Sequence, residues 1–387
     1  MQKCIGYSYS NNPLDFIFMK KTTSILFVVV LTLMIIGAFY LASILSEDDY
    51  FQNPYEQIEW QTVNYYDANL HTHTRFSDGS FDPHEVIDKY HDLGYHILAL
   101  TDHDKHHIDD PRTLYPWTNF NDIYFEIKDK INPRYDETFG ERVNEEWQNR
   151  DPELLGMLAL EGSELSGGHH IGSYMNDYAG VSVDEHVMLS EVGDRDGLAM
   201  FFHPGRYDLE VDWYIDFYQT YPHLIGQEIY NQGDRYPMDR KKWDQILHQL
   251  MPDRPVWGFA NDDTHVADHF GRYRNILLMS DLTIENFRLA MSEGHIYLFI
   301  PVVQGDRPDI LIQTIETRDS RVELNLEGDF NEILWITHDP ELNKSITISN
   351  GTKVDLDNVP STATYVRAVI LSDGGRTYTQ PFGIVRR

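Results

Sequence analysis

The chain has 387 residues, 41% of them apolar and 13% aromatic, enough to bury one large α/β core or two medium ones; disordered and fibrous classes are excluded. Against 31 basic residues stand 62 acidic ones, a net charge of −31, which is the wrong sign for general binding to duplex nucleic acid. The single cysteine, Cys4, excludes a disulfide framework and a thiolate metal site or nucleophile in the rest of the chain, so the 18 histidines become the residues to follow.

Residues 24–45 carry no charge and are long enough for the roughly 20 residues that cross a bilayer as a helix. Lys20 and Lys21 precede the run and Glu47, Asp48 and Asp49 follow it. The positive-inside rule then predicts a cytoplasmic segment 1–23, a single-pass anchor in the cell membrane and an extracytoplasmic remainder. A cleaved signal peptide is the competing reading and would make the protein secreted or periplasmic.

From 64 to 305 short apolar runs alternate with helical patterns. Strands are predicted at 66–70, 96–100, 157–160, 198–202, 225–230, 256–260 and 276–279. Asp82, Pro83 and Glu85 read as the start of a helix that ends near Gly94, and further helices are predicted at 213–221, 240–250 and 283–292. This βα rhythm predicts a parallel sheet with covered faces, closed into a barrel. The polar, aromatic stretch 105–150 interrupts it as an insertion over the mouth. Beyond 306 the pattern changes to alternating runs bounded by Gly, Asn, Asp and Pro, predicting an antiparallel β module over 306–387.

The polar residues of interest follow the predicted strands: His71-Thr72-His73 with Ser77-Asp78-Gly79, Thr101-Asp102-His103, Glu161 to Glu164 with Gly168-His169-His170, His203-Pro204-Gly205-Arg206, Asn231, and Asp262-Asp263-Thr264-His265. Parallel strands place such loops at one end of the sheet. In an extended segment residues two apart face the same way, so His71 and His73 can reach one cation. Imidazole and carboxylate without sulfur suit zinc, manganese or iron, and the donors outnumber the four that a tetrahedral zinc accepts, so more than one ion is implied.

In order and spacing, HTHTRFSDG, TDHD, GSELS with GGHHIGSY, FFHPGR and DDTH resemble the motifs of the PHP (polymerase and histidinol phosphatase) family of metal-dependent phosphoesterases over about residues 66–300. The resemblance implies a distorted seven-stranded β/α barrel holding two to three zinc, manganese or iron ions. It also implies roles: His71, His73, Glu164 and Asp263 around one ion; Glu164, His169 and His203 around a second; Asp78, His103 and His265 serving a third. The family pattern favours Glu164 over Glu161 and His169 over His170. Asp102 is expected to orient imidazoles, and Arg206 or Arg75 to neutralise a phosphoryl group, although either arginine could form an ion pair instead. His269 belongs to no motif and reads as structural. The extracytoplasmic placement and the appended module resemble the PHP-like proteins related to carbaryl hydrolases.

The expected activity is hydrolysis of a small phosphorylated substrate by a metal-activated hydroxide. Two alternatives stand beside it: attack by the same centre on a non-phosphate ester, carbamate or amide, and a non-catalytic surface protein that uses the scaffold to bind. The membrane is met only through the N-terminal helix, and the sequence sets no oligomeric state.

Overall fold

The computed structural model describes residues 49–103, 117–118, 120, 147–178, 182–318 and 320–387. The segment 1–23, the apolar run 24–45 and most of the predicted insertion 105–150 lie outside the described residues. Among the described residues no helix is long and apolar enough to cross a membrane.

In chain order the first elements are β1 (Tyr50–Gln52), β2 (Asn64–Asn69), α1 (Pro83–Asp92), β3 (Ile97–Ala99), α2 (Pro152–Leu155) and β4 (Leu158–Leu160). They are followed by β5 (Gly162–Leu165), β6 (Ile171–Tyr174), α3 (Glu185–Asp194), β7 (Leu198–Phe201), α4 (Val211–Thr220), β8 (Leu224–Asn231), α5 (Met238–Leu250) and β9 (Trp257–Asn261). Then come β10 (Arg274–Met279), α6 (Ile284–Glu293) and β11 (Ile296–Pro301). The remainder is extended: β12 (Leu311–Arg318), β13 (Arg321–Glu327), β14 (Glu332–Asp339), β15 (Lys344–Asn350), β16 (Lys353–Asp355), β17 (Tyr365–Leu371), β18 (Gly375–Thr379) and β19 (Phe382–Val385). The local signals act as read: Glu85 Oε2 accepts the Asp82 amide at 2.9 Å with Pro83 opening α1, and Thr283 caps α6, which stops at Gly294 with φ of 73°.

The strands form mixed rather than purely parallel sheets. A five-stranded sheet runs β5-β6-β7-β8-β9, in which β7, β8 and β9 are parallel while β5, β6 and β7 are antiparallel neighbours. Residues 166–170 are all that joins β5 to β6, far short of the dozen or more that a parallel crossover needs, so that pair folds back as a hairpin. An eleven-stranded sheet contains β2, β3 and β4 in parallel, with β10 antiparallel to β2. The hydrogen-bonded ladders therefore do not close into the single seven-stranded ring expected. Between β9 and β10 the Asn275 side chain takes the place of a ladder, accepting the Ala260 amide at 2.9 Å and donating to the Ala260 carbonyl at 2.8 Å. Two isolated parallel bridges, Thr72 with Thr264 and His103 with Glu164, join the sheets at their ends.

The antiparallel strands expected after residue 306 are present, and β11 pairs with β18, so the large sheet runs on into them. One apolar core, including Leu70, Phe201, Trp243, Phe259 and Leu277, lies under the parallel strands and helices. A second core joins Phe51, Tyr55 and Phe299 to Trp335, Val366 and Phe382. Between the two, α5 is locked to β17 by a buried ion pair, Asp244 with Arg367 at 2.9 and 2.8 Å, to which Tyr365 Oη and Ser345 Oγ also donate.

Candidate metal centre

The ends of β2, β3, β5, β7 and β9 deliver side chains to one buried point. Glu164, on β5, sits at its centre. Its Oε2 lies 3.3 Å from His71 Nε2, 3.0 Å from His73 Nε2 and 3.1 Å from His103 Nδ1, while Oε1 lies 2.6 Å from His170 Nδ1 and 3.2 Å from His203 Nε2. Asp263 Oδ1 approaches His71 Nε2 at 3.3 Å and His73 Nε2 at 3.2 Å, and the two Nε2 atoms are 3.1 Å apart. These separations match the roughly 3.3 Å edge of a tetrahedron whose bonds to a metal are about 2.0–2.1 Å. Glu164 Oε2 is buried and makes no hydrogen bond although three imidazole nitrogens surround it, as expected for donors aimed at a shared point instead of at one another.

Towards the open side, Asp78 stands 3.5 Å from His73 Nδ1, 3.6 Å from His103 Nε2 and 3.2 Å from His265 Nε2. Four groups of donors able to share an ion result: His73, Asp78, His103 and His265; His71, His73 and Asp263; His71, Glu164 and His203; His103, Glu164 and His170. The charges within the cluster reinforce each other. Burial alone would lower the His71 pKa, yet the facing Asp263, Glu228 and Glu164 carboxylates push it up to about 10. Burial would likewise raise Glu164, but His103, His170 and His71 hold it well below the usual carboxylate range. Such a concentration of anionic oxygen among imidazoles is the environment in which a divalent cation replaces protons.

One expected ligand is displaced by a single position. His170, not His169, meets Glu164, because Glu164 pairs with Gly172 across the β5–β6 hairpin and residue 170 shares the face of residue 172. His169 points to the opposite, aromatic side, with Nε2 3.1 Å from Tyr214 Oη and Nδ1 2.9 Å from the His170 carbonyl oxygen. Gly172 itself has to lack a side chain, since a Cβ there would run into Phe202, whose ring stacks on His71 at 3.7 Å.

Asp102 and Arg75 each have a partner that the sequence did not name. Asp102 reaches an imidazole only through Ser77, whose Oγ donates to Asp102 Oδ1 at 2.7 Å and lies 3.3 Å from His73 Nδ1; Asp102 also accepts the Thr74 amide at 2.7 Å and Thr74 Oγ1 at 2.9 Å, which shapes the loop between His73 and Asp78. Arg75 pairs with Asp82 at 2.8 Å at the start of α1 and is absent from the cavity wall. Arg206 does line the cavity, a space of about 720 Å³ that also exposes Glu164, His170, His203, Asp263 and His265.

Sequence reading missed Glu228. It lies on β8, whose residues are all buried, and it accepts His71 Nδ1 at 2.9 Å, the His203 amide at 2.7 Å and the side chains of Asn231 at 2.9 Å and Asn261 at 3.0 Å. The signal was available: a carboxylate inside an apolar strand is costly unless something nearby needs it. Asp262 was named with its neighbours but given no role. It accepts the amides of Gly271 at 2.7 Å and of Arg272 and Tyr273 at 2.9 Å, which sets the loop carrying Asp263 and His265. His269, read as structural, faces the cavity and accepts the His265 amide at 3.1 Å. Gln232, Arg235 and Tyr236, from the loop after β8, complete that wall.

No family model matches the chain, and no curated protein does. Among solved structures it is similar to a two-domain protein from Bacteroides vulgatus ATCC 8482 described as containing a predicted PHP-like metal-dependent phosphoesterase, at 14% identity and a TM-score of 0.46 over 86% of this chain and 90% of that one. An amidohydrolase from Chromobacterium violaceum, with bound sulfate and no metal, aligns at 16% identity and a TM-score of 0.34 over 62% of this chain and 98% of that one. A Bifidobacterium adolescentis protein described as a metal-dependent phosphoesterase aligns at 15% identity and a TM-score of 0.33 over 51% of this chain and 87% of that one. The structural neighbours thus include PHP-like metal-dependent phosphoesterases.

Proposed function

We propose that the chain is a metal-dependent hydrolase of a small phosphoester. The observation that carries this reading is Glu164, whose two carboxylate oxygens each face imidazole nitrogens from different loops, the arrangement of a carboxylate shared between neighbouring cations. His71, His73 and Asp263 would hold one ion, Glu164 with His71 and His203 or with His103 and His170 a second, and Asp78, His73, His103 and His265 a third. Two to three divalent ions of zinc, manganese or iron suit these donors. When bound, such ions supply Lewis acidity to phosphoryl oxygens and activate water for in-line attack.

The chain's own groups do the rest. Glu228 keeps the His71 ring turned so that Nε2 faces the cluster. Asp78 is held well below the usual carboxylate range because His103 and His265 outweigh the effect of its burial, so it stays ionised and offers its oxygens to a cation rather than donating a proton. Arg206, on the cavity wall, is placed to neutralise an anionic oxygen. A barrel of the distorted PHP type over 64–305, with 306–387 appended, is the finer reading of the fold, supported by the bridges from Thr72 to Thr264 and from His103 to Glu164. Extracytoplasmic placement is proposed from the uncharged run 24–45 alone, and digestion of the catalytic part by protease added to intact cells would support it.

Turnover of p-nitrophenyl phosphate by the metal-loaded protein is the test. Hydrolysis of p-nitrophenyl acetate without any phosphoester turnover would move the assignment to an ester, carbamate or amide substrate. Stoichiometric metal with neither activity would favour a binding protein.

A further inference from the structure

The strands β7, β8 and β9 end at one edge of the cavity, and each is followed or completed by a non-glycine residue in left-handed backbone: His203 with φ of 32°, Gln232 with 42° and Asp263 with 48°. Backbone of that kind is costly for residues with a side chain and is kept where the surroundings over-determine it. His203 and Asp263 belong to the donor cluster, whereas Gln232, their counterpart on the middle strand, does not. Its amide Nε2 donates to the Asp263 carbonyl at 3.1 Å, and its Oε1 accepts Arg235 Nη1 at 2.7 Å. The turn after β8 therefore fastens a guanidinium to the cluster's own loop.

Arg206 and Arg235 are each linked to His203 through the tyrosine that follows them in the chain. The His203 ring is flanked by Tyr207 at 6.0 Å and Tyr236 at 5.7 Å, and each tyrosine carries the preceding arginine over its face, Arg206 at 5.7 Å and Arg235 at 5.2 Å. In this acidic chain the arginines Arg75, Arg150, Arg240, Arg274 and Arg367 are each paired with an aspartate. Among the described residues the two at the cavity have no carboxylate partner: Arg235 bonds only the neutral Gln232, and Arg206 meets only the Tyr207 ring. Two exposed guanidinia backed by aromatic rings, at the edge of a cavity and without a carboxylate partner among the described residues, suit an anion with several oxygens.

We infer that Arg206 and Arg235 form a two-guanidinium clamp at the His203 end of the cavity, which selects a phosphomonoester over a phosphodiester, with Gln232 as the residue that positions Arg235. The inference rests on the phosphoester reading and deepens it. A monoester phosphoryl group has three non-bridging oxygens and a diester two. A monoester dianion therefore offers one more oxygen, and one more negative charge, than a diester for guanidinia on the cavity wall to meet.

The experiment compares p-nitrophenyl phosphate with bis(p-nitrophenyl) phosphate for the wild-type protein and for Arg235→Gln, Arg235→Lys and Gln232→Ala, and in parallel measures inorganic phosphate binding by calorimetry. Wild type should prefer the monoester. Arg235→Gln should lose about ten- to a hundredfold in monoester kcat/KM, at least tenfold more than it loses on the diester, and bind phosphate correspondingly more weakly. Arg235→Lys should recover part of that loss, because the charge returns without the planar fork. Gln232→Ala should raise the monoester KM with little change in kcat, and Arg318→Gln, on β12, serves as the distant control. Equal losses on both substrates, or unchanged phosphate affinity in Arg235→Gln, would overturn the clamp. If neither phosphoester is turned over but Arg235→Gln still weakens phosphate binding tenfold, the phosphoester reading fails while the anion clamp stands.

Discussion

Glu228 Oε1 accepts the Nδ1 hydrogen of His71 at 2.9 Å, and this one contact decides which nitrogen of the ring faces the cluster. A metal-bound imidazole that donates its second N–H to a carboxylate has a fixed tautomer and a more basic ligand nitrogen. The same Glu228 accepts the His203 amide at 2.7 Å, so it sets two donors on two strands together.

Glu228→Gln should therefore weaken zinc or manganese binding by about ten- to a hundredfold while the protein still folds, since the amide oxygen can replace only part of the acceptor set. Calorimetric titration with the metal alone, alongside circular dichroism of the metal-free variant, checks it. Unchanged affinity would remove Glu228 from the positioning role.

His170 and His169 offer a paired comparison. His170→Ala should lower the metal content on purification and weaken affinity at least about tenfold, because it removes a nitrogen 2.6 Å from Glu164. His169→Ala should keep the metal content and lose stability instead, since its ring is packed 4.6 Å from Phe201 and 4.0 Å from Tyr207. Elemental analysis of the two proteins reads the difference, and the reverse result would restore His169 as the ligand.

Chelation should lower the thermal midpoint. Without cations the carboxylates of Glu164, Asp263 and Asp78 converge with only imidazoles to balance them, and a ligand at a hundredfold its Kd stabilises the folded state by about 2.7 kcal/mol. Thermal unfolding with and without chelator should differ by several degrees, and the double variant His71→Ala, His73→Ala should show little response.

Arg367→Met should cost about 3–5 kcal/mol, because it leaves the Asp244 carboxylate buried without its partner. Although burial would raise Asp244, the Arg367 guanidinium holds it below the usual aspartate range. A carboxylate with a lowered folded pKa contributes stability above its unfolded value of about 4 and loses it as pH falls through the folded value. The gap between wild type and Arg367→Met in urea unfolding should accordingly shrink below about pH 4.

The sequence by itself determined which donor side chains are brought to one place. His71, His73, Asp78, His103, Glu164, His203, Asp263 and His265 follow predicted strands, and the structure gathers all of them at one cluster because strand ends in register converge whatever the details of closure. The alternation in His71-Thr72-His73 was enough to bring two Nε2 atoms within 3.1 Å. What depended on pairing could not be read along the chain. Whether residue 169 or 170 faces Glu164 is set by the register of a hairpin, and a shift of one residue exchanges the two faces of a strand. Asp102 and Arg75 were near the site in sequence but are engaged by Thr74 and Asp82, partners that only folding supplies. Glu228 and Arg235 lie outside every motif, and their roles come from what the neighbouring strands bring against them: His71 from β2 and, through Gln232, the loop after β9. Local pattern fixes which groups a strand carries to its end; long-range contact decides which of them meet.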